Sequence, residues 1–86
     1  MQDKFLAQYE SIRGTIKANV ATIRELIRQA ESLKSIVATI KNPTAQASIT
    51  AQIEDIEVLI GNLVDQTDKL FNQYQSFVKD VFAKGQ

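Results

Sequence analysis

A chain of 86 residues amounts to one domain or less, close to the smallest size at which a polypeptide buries a core of its own. Ten basic and ten acidic side chains cancel, which removes the basic excess that general nucleic-acid and anionic-membrane binders depend on. The chain has no cysteine and no histidine, so disulfide frameworks, thiolate metal sites and the commonest general base are excluded, and no catalytic residue, metal ligand, cofactor or small-molecule substrate is expected.

The remaining composition suits helices: 44% hydrophobic residues, three glycines and one proline leave little material for turns. No run approaches the ~18 to 20 apolar residues of a membrane span, and Met1-Gln2-Asp3 lacks the basic start of a cleavable signal peptide. Export, if it occurs, is expected through a system that reads no such signal.

In the first half, Tyr9, Ile12, Ile16, Asn19, Ile23, Leu26, Ala30, Leu33, Val37 and Ile40 are separated alternately by three and four residues. That is a heptad seam, the period at which one helix keeps a single stripe against another. With Asp3 as N-cap the pattern predicts a helix over about residues 4 to 41, roughly 55 Å long at ~1.5 Å per residue. Gly14 falls on its outer face, either as a tolerated surface glycine or as a place where a neighbouring backbone comes close.

The chain then meets Lys41-Asn42-Pro43-Thr44, with only a few residues, about 42 to 46, outside the two patterns. Proline lacks the amide proton a helix interior uses but is tolerated at the first helical position, and it pushes the residue before it out of helical geometry. Asn42 is therefore the expected N-cap and Pro43 the expected start of a second helix. Lys34 and Lys41 are expected in the last two turns of the first helix, at the negative end of its dipole.

In the second half, Ile49, Ile53, Ile56, Ile60, Leu63, Thr67, Leu70, Tyr74, Phe77 and Val81 repeat the alternation, predicting a helix from 43 or 47 to 84 that Gly85 terminates. Gly61 carries the same two readings as Gly14. Folding the halves about Thr44 pairs Ile40 with Ile49, Leu33 with Ile56, Leu26 with Leu63 and Ile12 with Phe77, and interleaves Ala30 with Ile60 and Ile16 with Tyr74. The predicted fold is all-α: residues 1–86 form a single antiparallel, coiled-coil-like hairpin with a tight turn at Asn42-Pro43, assembling further into a bundle or filament.

Up to Asn42 there are seven basic and four acidic residues, net +3; from Pro43 on there are three and six, net −3. The register sets Lys34 opposite Glu57, an exposed pair worth under about 1 kcal/mol. Asn19 and Thr67, polar residues in adjacent layers of the seam, are expected to fix the register by sharing a hydrogen bond or a water.

The two flanks of the seam differ. Positions g are mostly polar, whereas positions e bring Val20 and Ile27 together with Val64, Phe71 and Val78 in an apolar strip that two helices cannot cover. Burying a side chain of this kind stabilises by roughly 1.5 to 3 kcal/mol, so five left exposed forfeit on the order of 10 kcal/mol. All six aromatic residues, Phe5, Tyr9, Phe71, Tyr74, Phe77 and Phe82, fall at the open end, and Phe82, off the seam, is expected to touch another chain. The acidic residues Glu54, Asp55, Glu57, Asp65 and Asp68 read as a solvated helix face rather than a cation site.

In layout the chain resembles two groups of secreted bacterial hairpins. Needle subunits of type III secretion systems are cysteine-free, of about this length, and turn at prolines near mid-chain; the likeness implies a subunit that polymerises. The small hairpins of type VII secretion are similar in length and corner position. This chain departs from both: Pro43 stands alone where needle subunits usually carry two prolines, and there is no tryptophan for a Trp-x-Gly turn. The expected function is that of a non-enzymatic structural subunit of a filament, secretion apparatus or virion, self-associating through Val20, Ile27, Val64, Phe71, Val78 and Phe82. The alternative is a small helical adaptor or chaperone that covers a partner protein's amphipathic helix. A homo-oligomer or another helical protein is the expected partner, with neither nucleic acid nor membrane.

Overall fold

The computed structural model describes residues 2 to 84, and side chains from 4 to 83. Two helices, α1 (Gln2–Thr39) and α2 (Pro43–Lys84), make up the described chain and pack against each other. The ring of Phe5 meets that of Phe77, Tyr9 meets Tyr74, and Lys34 meets Glu57. Partners in α2 fall in number as those in α1 rise, the order of an antiparallel pair.

The corner is built as the proline rules require. The Asn42 side-chain oxygen accepts from the amides of Thr44 at 2.9 Å and Ala45 at 3.3 Å, and the Asn42 carbonyl accepts from the Gln46 amide at 2.9 Å. α1 ends at Thr39, about two residues before the expected limit, because reversing the chain takes Ile40, Lys41 and Asn42 out of the helix. Ile40 closes the final turn by donating to the Val37 carbonyl at 3.3 Å. Lys41 consequently sits in the corner, and no basic residue occupies the last turn of α1. The Gln46 side-chain amide donates to the Ile40 carbonyl, pairing an acceptor that the end of α1 leaves without a helical partner. At the other terminus α1 begins at Gln2, so Asp3 lies inside the helix rather than ahead of it. Gly85 lies outside the described residues.

The seam matches the heptad reading closely. From Tyr9 to Ile40 and from Ile49 to Phe77 every seam residue is buried or half-buried, and only Val81, 40% exposed, departs. The cause is at the aromatic end. There Tyr9 brings its ring 5.4 Å from that of Tyr74, and the Tyr74 hydroxyl donates to the Tyr9 hydroxyl at 3.3 Å. Phe77 meets Phe5, at 5.7 Å, rather than the expected Ile12. The heptad stripes hold, but the expected pairing about Thr44 is a heptad out: the corner takes only residues 40 to 42, so the helices fold back about Lys41, and Val81 is left level with the very start of α1.

Asn19 and Thr67 are both half-buried on the seam, but no direct hydrogen bond joins them. Thr67 donates at 2.6 Å to the Leu63 carbonyl of its own helix, the local bond that threonine makes in preference to a distant partner. Gly14 and Gly61 face open space: a Cβ added at either meets nothing within 4 Å, so neither marks close packing within the hairpin.

The molecule is a rod of 65 × 16 × 13 Å with a radius of gyration of 19.3 Å, against about 12 Å for a compact domain of this length. Among the described residues only Ala30 and Ile53 are buried, at 5% and 7% exposure.

Candidate association surface

Each helix presents its apolar stripe to the other, and the e side of the seam is left facing outward between them. One end of that side is closed by the expected ion pair of Lys34 Nζ and Glu57 Oε1 at 3.5 Å, made by two long side chains that reach toward each other along the rod. Below it come Ile27 and Val64, which are 41% and 40% exposed, and then Phe71 at 48%. Phe71 stacks on Tyr74 at 6.3 Å between centroids. Together with Arg13 and Ile16 these two rings line an open groove of ≈220 Å³.

The expected strip is thus only partly bare. Val20 and Val78 are half-buried rather than exposed, so the area left uncovered is smaller than five free side chains would give. Phe82, at 70%, is the most exposed large apolar residue and lies on the outer face of α2 near the open end.

Other apolar side chains exposed away from the e side include Phe5 on the seam at 40%, Ile36 and Leu59 on the mostly polar flank, and Val58 on the outer face of α2 at 63%. Val58 belongs to no seam or flank position and is the residue that heptad reasoning passed over. The signal for it was the run Val58-Leu59-Ile60, three consecutive apolar residues where the seam uses only Ile60.

Charges on the outer surface are mostly unpaired. Among the described residues the ion pairs are Lys34 with Glu57 and Arg28 with Glu25, the latter at 2.7 Å within one helical turn. The Arg28 guanidinium bonded to Glu25 holds that carboxyl below its usual range. The bond between the two tyrosines holds the Tyr74 hydroxyl above its usual value, aided by burial.

No cluster of acidic side chains among the described residues is arranged to hold a metal ion, and no described helix is long and apolar enough to cross a membrane. No protein-family model matches the chain, and neither a curated protein nor a solved structure is significantly similar to it. The likeness to secreted hairpins stays one of layout.

Proposed function

We propose that this chain is a non-enzymatic structural subunit that associates with copies of itself through the e side of its seam, as a component of a filament, a secretion apparatus or a virion. The observation that carries this reading is surface area. The chain exposes 6799 Å², whereas a compact monomer of its mass exposes about 5,100 Å². The surplus of roughly 1,700 Å² per chain is about twice the ~800 Å² that each partner of a standard interface removes from water. Charge supports self-recognition as well, since one helix carries the sign that attracts the other.

Size-exclusion chromatography with light scattering on the purified chain tests the reading. Oligomers that grow with concentration are the expected result. A chain that is monodisperse and stable as a monomer refutes it, and a monomer that melts easily and is stabilised by another protein's amphipathic helix favours the adaptor alternative.

A further inference from the structure

Copies that meet e side to e side share one self-complementary surface, and a contact of that kind closes at two chains. At standard size it removes ~800 Å² from each partner, about half of the surplus that the rod exposes. A larger assembly therefore draws on a second surface. The backs of the two helices, turned away from the seam, supply one. Val58, 63% exposed, stands on the back of α2, and Ala21 on the back of α1.

The ring contacts of Phe5 with Phe77 and Tyr9 with Tyr74 fix which residues are level: those whose numbers add to 82 or 83, as these pairs do. On that scale the middle of the rod is divided by charge. Residues 14 to 29 of α1 hold three bases and one acid, whereas the residues level with them on α2, 54 to 68, hold five acids and no base. Ion pairs within the hairpin engage Arg28 with Glu25 and Glu57 with Lys34. Lys17 and Arg24 on the back of α1, and Glu54, Asp55, Asp65 and Asp68 on the back of α2, are exposed and belong to neither ion pair of the described residues.

Resting on the self-association proposed above, we infer that these backs form a second interface, in which the back of α2 in one copy lies side by side with the back of α1 in another, middle to middle. The acids around Val58 then meet the bases around Ala21, and Val58 comes within about one helical turn of Ala21, where a methyl group leaves it room. Laying like on like instead sets α2 against α2, five acids on five acids in the mid-rod band, which charge patterning in specific helix pairing avoids. The contact uses different surfaces on its two partners. Each copy therefore offers α2 to one neighbour and α1 to another, and the assembly grows where the e-side contact stops.

Val58→Arg and Ala21→Glu, made in separate chains, test the arrangement. Each gains oppositely charged neighbours on its own helix and sets like charge against the next copy. Circular dichroism checks the fold, and sedimentation velocity at low salt across a concentration series reads assembly. The native chain grows beyond two copies, either variant alone stops at two, and an equimolar mixture grows again, because alternating chains make one native contact and one compensated contact. Variants that grow like the native chain, a mixture that stays at two copies, or a native chain that stops there overturn the inference and leave the e-side contact standing; a monomeric native chain overturns both. Should either variant unfold, the cysteine-free chain allows a second measurement. Ala21→Cys and Val58→Cys in one chain lie on opposite sides of a rod 16 Å across, too far apart for a short bis-maleimide to join within the molecule. A ladder of two, three and more linked chains is the expected product, and chains that stay unlinked overturn the inference.

Discussion

Replacing Ile27 and Phe71 together by glutamate puts the association face to its most direct trial. Full burial of such side chains stabilises by about 1.5 to 3 kcal/mol. With 41% and 48% of their surfaces still exposed, completing the burial of each contributes roughly 0.6 to 1.4 kcal/mol. A symmetric dimer contains both residues twice, so the double substitution removes about 2.5 to 5.5 kcal/mol from association before the cost of desolvating four carboxylates is added. That corresponds to two to four orders of magnitude in Kd. Sedimentation velocity across a concentration series reads the change, and circular dichroism confirms that the helices persist, because neither residue lies on the seam. Gln66→Glu, on the polar flank, serves as a control and leaves the oligomer distribution untouched. If the double variant sediments like the native chain, the e face is not the interface.

Other substitutions probe the hairpin itself. Gly14→Ala and Gly61→Ala each raise stability by up to about 1 kcal/mol in thermal melts, since the added methyl meets open space; a loss of assembly instead would reveal a neighbouring backbone at that point. Asn42→Ala lowers the denaturation midpoint by the equivalent of about 1 kcal/mol through loss of the cap on Thr44 and Ala45, and an unchanged midpoint would show that the Pro43 turn needs no cap. The Tyr74 hydroxyl is held above its ordinary value of 10.0, first by its bond to Tyr9 and then by burial. Its stabilising contribution is therefore complete below that pH and lost as pH rises through the raised value. Tyr74→Phe abolishes this alkaline decline in denaturant titrations, and identical pH profiles for the two proteins would refute the link.

The seam was legible because a heptad is backbone geometry written into side-chain spacing: any residue three or four positions from its neighbours must share their stripe. The corner was legible for a similar reason, as Pro43 leaves Asn42 few conformations. What the period does not encode is which heptad faces which. A corner of three residues, 40 to 42, sets Tyr9 against Tyr74 and Phe5 against Phe77, a heptad away from the expected pairs, and leaves Val81 uncovered. The period also ignores local competition, so Thr67 bonds to Leu63 rather than across the seam to Asn19. Val58 escaped because a search for stripes discards a lone apolar residue on the outer face, although that is where such a residue is costliest to expose. The helix limits shifted at α1 because the corner takes three residues out of helical geometry.

The shape makes self-cover impossible at any length. Two helices touch along one line, so each buries one stripe, and lengthening the rod adds exposed flank in proportion to every buried layer. A globular domain escapes this because its interior grows faster than its surface. Ala30 and Ile53, the two buried residues among those described, stand opposite each other in the corner half once the register follows the Tyr9–Tyr74 contact. Toward the open end the rings of Phe5, Tyr9, Tyr74 and Phe77 take over the seam, and there Phe71, Val81 and Phe82 remain exposed. Further helical turns would not cover those groups, whereas a helix packed beside the rod would.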